Sequence, residues 1–404
     1  MLFSIHSDDD VKQSAGLSGY AYGYHKIKEN FSKFTYGKET LSVVDNSPSA
    51  SVQMFYMEPN RLAVPSMKNL RQPDFTKFHD HQYKIYGTHL EATKMWSHWI
   101  DEISKADEVW VGNYFARDAV LNSGIKVPTY VFEHGIDGMW QPKRRGKNSK
   151  IKFLHVDSGS PRKRADMAHD AFKDVFGDRD DVQLTLKYRP GEEDGGYDVM
   201  SLFTNSNVVR MYSHLSQEEM VQLYYDHDVL IYPSEGEGFG FIPLQALASG
   251  MPVISTSRWC SYEKFLGKNI IESKIGPTSH TGYFEGEVVL ADYDSLVHLI
   301  KKVYDNIDSE CDFYFSQSEK VYKEYNWEKR SKEMLNSFIK RKGISILDPH
   351  PDYIHQIPVE IMYIGNGSYS TASGTRFSKE NRIGTVTKSE YDSLISSGNF
   401  QKVV

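Results

Sequence analysis

The feature that most constrains this chain is an alternation of short apolar segments with longer amphipathic ones. The apolar segments are rich in β-branched and aromatic residues and are bounded by turn residues, which is typical of buried strands. They lie at 2–5, 107–112, 129–132, 151–156, 182–187, 208–213, 228–234 and 251–256. Helical patterns lie at 91–105, 114–123, 165–176, 216–226 and 243–249. Strands that alternate with helices predict an α/β fold, in which parallel sheets are covered by helices.

The length, composition and charge of the chain limit the classes of protein to which it can belong. At ~100–200 residues per domain, 404 residues suggest two to four domains. Hydrophobic residues make up 39% of the chain, which is enough for packed cores and excludes a disordered protein. Because 47 Lys and Arg face 54 Asp and Glu, the net charge is −7. Binding to nucleic acid would therefore require a local basic patch.

The cysteines and the first residues predict the compartment. Cys260 and Cys311 are too few for a disulfide framework, and neither lies in a C-x-x-C motif, so a reducing compartment is expected. The segment MLFSIHSDDD reaches three acidic residues before any apolar stretch of signal-peptide length. No apolar run approaches ~18 residues. We therefore expect a cytoplasmic protein that does not span a membrane.

Two changes in the pattern predict domain boundaries. Residues 141–150, QPKRRGKNSK, have no apolar side chain and five cations, which is typical of a solvated linker. A helical run over about 316–342 precedes a segment rich in Gly, Ser and Thr that predicts two or three hairpin strands and one terminal helix. The predicted units are a Rossmann-like domain at 1–142, a second one at 143–342, and a small β-rich module at 343–404.

The segment with the clearest chemistry is DVLIYPSEGEGFGFIPLQALASGMPVIST (228–256). A buried strand ends at Pro233-Ser234, a glycine-rich turn follows, and Pro243 is expected to start a helix that ends at Gly250. Glu237 and the backbone N–H groups of the turn then lie at the carboxyl end of a strand and the start of a helix. In an open parallel sheet ligands bind at this edge, and the helix N-terminus favours an anion such as phosphate.

This run resembles the signature of the family-four retaining glycosyltransferases, which belong to the group 1 glycosyl transferases and have the GT-B fold. Their pattern is Pro-Ser, then Glu-Gly-Phe-Gly, then a second Glu eight positions after the first. Here the first Glu is Glu237, and Gln245 occupies the second position. The resemblance implies that Glu237 contacts the hydroxyls of the donor sugar and that Gln245 lies at the ribose. An amide accepts hydrogen bonds less strongly than a carboxylate, which affects nucleotide preference and donor affinity more than the fold.

Other segments match the family in the same order along the chain. EHGID (133–137) is similar to the motif that closes the first domain, and residues 106–124 resemble its penultimate strand and helix. FLHVDSGSPRKRADMAHDAF (153–172) resembles the phosphate-binding start of the second domain, and YNWEKRS (325–331) resembles the helix that crosses back. The resemblance implies two Rossmann-like αβα domains that face each other across a cleft.

Several second-domain residues receive donor-binding roles from this resemblance. Lys163 lies where the family has the lysine that binds the donor diphosphate. Ser158 lies where many members have a partner arginine, and Arg162 is a candidate to replace it. The backbone of Gly238, Phe239 and Gly240 would complete the phosphate site. The alternative for Arg162 and Lys163 is a solvated cationic turn.

Four first-domain residues are candidates on the opposite side of the cleft. Gly16 and Gly19 follow the first strand and match a loop that approaches the donor phosphates, although a surface turn explains them almost as well. His89 and Glu91 are expected at the carboxyl end of the strand that begins near Lys84. His89 would lie beside the reacting sugar or be an ordinary loop residue. Glu91 would contact the acceptor or offset the dipole of the next helix as its first-turn acid.

Short metal-like motifs carry little weight. Asp226-His227-Asp228 and Asp8-Asp9-Asp10 fit an Asp-x-Asp cation motif, but three-residue matches are common by chance, and Asp228 has a structural place at the start of a buried strand. His79-Asp80-His81 has metal-like spacing without an identifiable third ligand. No metal or other cofactor is predicted.

The resemblance implies transfer of a sugar from a nucleotide diphosphate sugar, with a UDP-sugar expected, to a hydroxyl acceptor with retention of configuration. Glu237, Lys163 and His89 are the predicted catalytic residues. Cations at 143–145, 162–164 and 340–342 would form a positive rim on the cleft, which suits a polyanion such as phage DNA with hydroxymethylated bases. A phage protein would act in the host cytoplasm. The alternative is that these cations serve only solubility. A glycan is the other acceptor class. A nucleotide- or glycan-binding protein without turnover is the alternative function, favoured by Gln245 and Ser158.

Overall fold

The computed structural model describes most of the chain. The described residues are 2–6, 19–33, 35–36, 39–40, 42–45, 47, 49–56, 78–146, 148–157, 159–188, 206–278, 285–342, 358–365, 368–371, 376–378 and 382–402. Within these residues, two parallel sheets account for the larger part of the fold.

The first sheet has six parallel strands in the order β4-β1-β5-β6-β7-β8. Its strands are β1 (Leu2–His6), β4 (Ser42–Asp45), β5 (Val52–Tyr56), β6 (Tyr83–Thr88), β7 (Glu108–Val111) and β8 (Thr129–Val131). A short hairpin, β2 (Thr35–Tyr36) and β3 (Glu39–Thr40), precedes β4. The helices of this part are α1 (Gly19–Phe31), α2 (Ser97–Ile103) and α3 (Tyr114–Asn122).

The second sheet has five parallel strands in the order β11-β10-β9-β12-β13. They are β9 (Ile151–Val156), β10 (Val182–Tyr188), β11 (Val208–Tyr212), β12 (Val229–Tyr232) and β13 (Val253–Ser255). The helices are α4 (Ala165–Phe176), α5 (Gln217–Tyr225), α6 (Phe241–Ala248) and α7 (Tyr293–Asp305). An antiparallel pair, β14 (Ser273–Pro277) and β15 (Glu287–Ala291), follows β13.

Both sheets have apolar cores on their faces, which confirms the α/β class. In the second sheet, alternate residues of β9 point to opposite faces, so Phe153 packs with α4 and Leu154 packs on the other side with α6. Each predicted strand is present to within two residues, and the predicted helix 165–176 matches α4. The pattern of short apolar segments between turn residues therefore predicted the strands of both sheets correctly.

The predicted helix over 91–105 is wrong in its first half. Residues 89–96 form a loop, and α2 begins only at Ser97. The loop makes hydrogen bonds to the second domain instead: Thr93 N donates to Glu287 O at 2.8 Å, and Glu287 N donates to Thr93 Oγ1 at 2.9 Å. Tertiary hydrogen bonds have overridden a helical pattern here.

The segment 141–150 is not solvated throughout, which corrects the sequence-based expectation. The guanidinium of Arg145 is buried and donates to the carbonyl oxygens of Tyr224, His227 and Ser249 at 2.8–2.9 Å. Burial lowers the Arg145 pKa to about 10. Arg145 thus attaches the connecting segment to the second domain, whereas its neighbour Arg144 is exposed and pairs with Asp312.

The predicted single helical run over 316–342 is two helices, α8 (Ile307–Tyr325) and α9 (Trp327–Lys342). They break at Asn326, where Ile136 N donates to Tyr325 O at 2.6 Å and Ile136 pairs with Asn326. After the break α9 packs on the first domain, with Trp327, Leu335 and Phe338 in its core. This crossing joins the ends of the two large units.

The C-terminal module forms a small three-stranded antiparallel sheet in the order β19-β16-β20. Its elements are β16 (Pro358–Tyr363), β19 (Ile383–Thr387), α10 (Lys388–Ser396) and β20 (Phe400–Lys402), with a hairpin of β17 (Tyr369–Ser370) and β18 (Arg376–Phe377). Tyr363, Phe377 and Phe400 pack in its core. The helix is followed by a strand and is therefore not terminal as predicted.

Among the helices that the structure describes, none combines the length and the apolar character needed to cross a membrane.

Candidate active site

The site lies at the carboxyl ends of the second sheet's strands, in the turn between β12 and α6. The helix begins at Phe241, two residues before the predicted Pro243, with Gly240 as its N-cap at φ +87°. A side chain at residue 240 would overlap Trp259 and Tyr262, and Tyr262 OH donates to Gly240 O at 2.5 Å. Only glycine meets both the positive φ and the close packing.

Glu237 is the centre of the site. Its Oε1 lies 2.8 Å from Arg162 Nη1 and 3.1 Å from Lys163 Nζ. The same oxygen accepts from Tyr232 OH at 2.7 Å and from Ser234 Oγ at 2.8 Å. One buried carboxylate oxygen therefore has four donors.

These donors keep Glu237 ionised. Burial raises the pKa of a carboxyl group, but the charges of Lys163 and Arg162 and the Tyr232 and Ser234 hydroxyls outweigh it and lower the Glu237 pKa to about 2. The carboxylate is charged at neutral pH and accepts hydrogen bonds without donating any. Such a group binds hydroxyls or cations.

A strained turn after β9 brings the two cations together. Pro161–Lys163 form one 3-10 turn, and Arg164 follows it at φ +57°, a conformation that costs a non-glycine residue free energy. Ion pairs of Arg164 with Asp166 at 2.9 Å and with Glu235 at 3.1 Å hold the turn. Arg162 and Lys163 are buried beside Glu237, so the alternative of a solvated cationic turn is wrong.

Glu91 of the first domain also contacts this cluster. Its Oε1 lies 2.8 Å from Arg162 Nη2. The expectation that Glu91 is the first-turn acid of a helix is wrong, because residue 91 lies in the loop before α2. Gly236 packs against the Glu91 carbonyl so closely that a Cβ there would overlap it.

His89 lies where the sequence placed it, at the carboxyl end of β6, and it contacts the turn between β12 and α6. Its Nδ1 is 3.3 Å from Gly238 O, and its Nε2 is 2.8 Å from Tyr56 OH. Burial lowers the His89 pKa to about 4, so the ring is neutral at pH 7. His89 is therefore a cleft residue and not a solvated loop residue.

Asn113 joins the first domain to the same turn. Its Nδ2 donates to Glu237 O at 3.1 Å and to Gly238 O at 2.9 Å. Its Oδ1 accepts from Ala116 N at 2.7 Å and caps α3. One buried side chain therefore caps α3 and binds the turn between β12 and α6.

The cluster around Glu237 has equal numbers of positive and negative side chains, and the adjacent turn has backbone N–H groups without an acceptor in the part of the chain that the structure describes. Arg162 and Lys163 face two carboxylates, those of Glu237 and Glu91. Among the described residues, no acceptor faces the N–H groups of Gly238 and Phe239. Two cations, free N–H groups and a helix N-terminus at one place suit an anionic ligand such as a diphosphate.

The remaining predicted residues are placed as follows. Gln245 lies on α6 and is buried. Phe239 packs against His134, with 5.1 Å between the ring centroids. Gly19 is the first residue of α1. Ser158, Gly16 and Asp8–Asp10 lie outside the described residues.

In the described part of the chain, several cations of the three basic clusters are bound within the protein. Arg162 and Lys163 are buried in the site, and Arg145 is bound to carbonyls of the second domain. Arg341 pairs with buried Glu108 at 2.8 Å. These contacts leave fewer cations for a polyanionic acceptor than the sequence indicated.

The metal-like motifs have structural roles where they are described. Asp228 accepts from Lys152 N at 2.8 Å and Asn148 Nδ2 at 2.9 Å, and His227 lies 2.8 Å from Thr185 Oγ1. The rings of His79 and His81 stack at 5.4 Å. In the described part of the chain, no group of three or more His, Cys, Asp or Glu could hold a metal ion.

Sequence reasoning missed five residues of the site. They are Tyr56, Asn113, His134, Tyr232 and Ser234. Ser234 and His134 lie inside the quoted motifs, but neither motif indicated what they contact. Tyr56 and Tyr232 end apolar strands and are indistinguishable from core residues in the sequence, whereas Asn113 shows only the signal of a helix cap.

Comparison with known families gives a match to a family model. Residues 140–308, less than half of the chain, match the family model described as "Glycosyl transferases group 1". This match agrees with the resemblance to the group 1 glycosyl transferases that the sequence showed. An uncharacterized protein 356 of Sulfolobus islandicus rod-shaped virus 1 is 22% identical over 244 residues, which span 55% of this chain and 64% of that protein.

Solved structures are similar over most of the chain. HepE from Anabaena in complex with UDP-glucose is 13% identical with a TM-score of 0.58, covering 84% of this chain and 100% of that one. Sucrose-phosphate synthase from Thermosynechococcus elongatus is also 13% identical with a TM-score of 0.58, covering 84% and 99%. At this identity the likeness shows the fold, which is GT-B.

Proposed function

We propose that this protein is a retaining glycosyltransferase that moves a sugar from a UDP-sugar to a hydroxyl acceptor. The observation that carries the proposal is the convergence of Arg162, Lys163, Tyr232 and Ser234 on one oxygen of Glu237, beside a glycine-rich helix N-terminus. HepE, which has the same fold, was solved with UDP and glucose. The predicted domains fit this function, with the donor held by 143–342 and the acceptor by 1–142.

In the proposed complex the diphosphate takes over the two cations. Arg162, Lys163 and the N–H groups of Gly238 and Phe239 bind its oxygens and stabilise the charge that develops as it leaves. Glu237, released from the cations, accepts hydrogen bonds from hydroxyls of the donor sugar and orients the anomeric carbon. Gln245 lies at the ribose and Gly240 in the phosphate turn, while Gly16 and Ser158 remain predicted donor contacts.

The transfer exchanges one bond to the anomeric carbon for another. The bond from that carbon to the β-phosphate oxygen breaks, and the acceptor oxygen bonds to the carbon on the same face. The acceptor proton passes to the leaving phosphate oxygen, so the nucleoside diphosphate departs and configuration is retained. This route uses no separate general base and no metal ion.

The acceptor we propose is a glycan or another neutral hydroxyl compound, near Glu91 and Gly19. A glycan is supported by the structure of the TarM G117R mutant of S. aureus, which contains fondaparinux, α-GlcNAc-glycerol and UDP. The alternative of hydroxymethylated DNA is less favoured because Arg162 and Arg341, which belong to two of the basic clusters, pair with carboxylates. It would require sugar incorporation into duplex DNA that falls steeply with salt.

The test is release of nucleotide from a panel of UDP-, GDP- and ADP-sugars. We expect release from a UDP-sugar that Glu237→Ala and Lys163→Ala abolish, while Lys264→Ala, a surface control outside the site, leaves it unchanged. If the protein binds a nucleotide but releases none from any nucleotide sugar of the panel, the proposed enzymatic activity is wrong and a binding protein without turnover is favoured. NMR of the product's anomeric centre would report retention or inversion.

A further inference from the structure

Tyr56, His89 and His134 form a buried hydrogen-bonded cluster on the first-domain side of the cleft. They follow or end three strands of one sheet, β5, β6 and β8. Tyr56 OH lies 2.8 Å from His89 Nε2 and 2.9 Å from His134 Nε2. The two histidine Nε2 atoms are 3.2 Å apart. The cluster ends at Gly238 O, in the turn of residues 233–240 that the proposed function assigns to the donor, called here the donor-site turn.

The proton of His89 is assigned by its neighbour. Gly238 O only accepts, so His89 Nδ1 at 3.3 Å must carry the hydrogen; otherwise two lone pairs would face each other. The buried ring is neutral at pH 7 and has a single N–H. His89 Nε2 is therefore an acceptor, and a donor must face it.

The proton of His134 is assigned by the same reasoning. Its Nδ1 is buried and has no hydrogen-bond partner among the described residues, and a buried N–H without an acceptor is costly. The hydrogen therefore lies on Nε2, which donates to Tyr56 O, and Tyr56 O–H donates to His89 Nε2. Trp327 and Phe241 stack on the His134 ring at 5.3 and 5.6 Å and hold it in place.

We propose that Tyr56 and His134 are positioning residues that fix His89 in its Nδ1–H tautomer, and that His89 positions the donor-site turn instead of transferring protons. The chain of donors runs one way, from His134 through Tyr56 and His89 to Gly238 O. This inference rests on the proposed function for its catalytic consequence. Its structural content, the tautomer of each histidine, does not depend on turnover.

The glycines on either side of His89 support a positioning role. A Cβ at Gly112 would lie 3.1 Å from His89 Nδ1 and 2.8 Å from Gly238 O, and one at Gly238 would overlap the His89 side chain. His89 therefore lies in close contact with Gly112 and Gly238, between the two domains.

The first test is the tautomer itself. The full chain is labelled with ¹⁵N-histidine, His89 and His134 are assigned with His89→Asn and His134→Gln, and long-range ¹H–¹⁵N spectra are recorded at pH 7. We expect His89 as Nδ1–H and His134 as Nε2–H. Detection of His89 as Nε2–H, or doubly protonated, would overturn the inference whether or not any sugar is transferred.

The second test uses side chains that mimic one nitrogen each. The amide N–H of Asn lies near the position of Nδ1 and that of Gln near Nε2, so His89→Asn keeps the bond to Gly238 O and His89→Gln loses it. We expect kcat of His89→Gln to fall about 10-fold below that of His89→Asn. Equal kcat in the two variants would contradict a role through Nδ1.

The third test removes the Tyr56 hydroxyl. We expect Tyr56→Phe to lower kcat about 10-fold while donor KM changes less than about 3-fold, because the loss concerns positioning in the transition state. Tyr224→Phe, which removes another buried hydroxyl, bonded to Ile242 O at 3.4 Å, is the matched control and should change kcat little. Equal effects of the two variants would contradict the assignment.

Discussion

Arg162 Nη2 of the second domain and Glu91 Oε1 of the first lie 2.8 Å apart across the cleft. The same guanidinium also reaches Glu237 Oε1 at 2.8 Å. A donor diphosphate that binds Arg162 must therefore compete with two carboxylates, one from each domain. This competition makes Glu91 a determinant of donor affinity.

The variant Glu91→Gln should bind UDP more tightly. Removal of the carboxylate leaves Arg162 with one negative partner, so less interaction energy is lost when the diphosphate binds. We expect the Kd of UDP, measured by isothermal titration calorimetry, to fall about 3- to 10-fold, the factor for about 0.7–1.4 kcal/mol. Glu319→Gln, on the exposed face of α8, is the control. Unchanged or weaker UDP binding in Glu91→Gln would show that Glu91 does not compete.

Asn113→Ser should separate helix capping from donor-site geometry. Serine is also a good N-cap, so α3 should remain stable to within about 1 kcal/mol. Its hydroxyl is too short to reach Glu237 O and Gly238 O, so the turn loses two of its bonds to the first domain, while the contact of His89 Nδ1 with Gly238 O remains. We expect kcat/KM for the donor to fall on the order of 10-fold while Tm changes by only a few degrees. If Asn113→Ser keeps the wild-type kcat/KM, Asn113 does not contribute to the geometry of the donor site.

His89 should make stability depend on pH between about 4 and 6.5. Burial lowers its pKa to about 4 in the folded state, against about 6.5 when unfolded, so within this window the unfolded chain binds the extra proton. Stability is then present above pH 6.5 and is lost as pH falls, by up to about 1.4 kcal/mol per unit.

The measurement is Tm against pH for the wild type and His89→Asn. Asparagine does not titrate, so the Tm of the variant should fall less between pH 6.5 and 4.5. His298→Asn, which replaces an exposed histidine on α7, should follow the wild type. Parallel curves for wild type and His89→Asn would show that His89 does not titrate in this window.

Adjacent arginines in the connecting segment should differ greatly in their effect on stability. Arg145→Met removes three buried hydrogen bonds to the carbonyl oxygens of Tyr224, His227 and Ser249, which we expect to cost about 2–4 kcal/mol and about 2–5 °C in Tm. Arg144→Met removes an exposed ion pair worth about 0–1 kcal/mol. Equal losses of Tm would contradict the structural role of Arg145.

The sheets were predictable from sequence because a buried strand needs only a short apolar run between turn residues. β9 and β12 were placed to within two residues for this reason. The loop over 89–96 was not predictable. Its sequence has a helical periodicity, but the backbone of Thr93 bonds to Glu287, about two hundred residues away. Contacts at such separation leave no local signal.

The site was half predictable. Glu237, Lys163 and Arg162 lie in motifs whose spacing after a strand and before a helix is itself the functional signal. Tyr56 and Tyr232 act through a hydroxyl at the end of an otherwise apolar strand, and the sequence cannot distinguish that from a core aromatic. Burial of Arg145 was equally hidden, since a run of cations is usually solvated.

The most direct test of the account is a crystal structure of the protein with UDP. We predict that the β-phosphate lies within hydrogen-bond distance of Arg162, Lys163 and the N–H groups of Gly238 and Phe239, and that Arg162 has left Glu91. UDP bound elsewhere, or bound while Arg162 keeps both Glu91 and Glu237, would contradict the assignment of this cluster as the donor site.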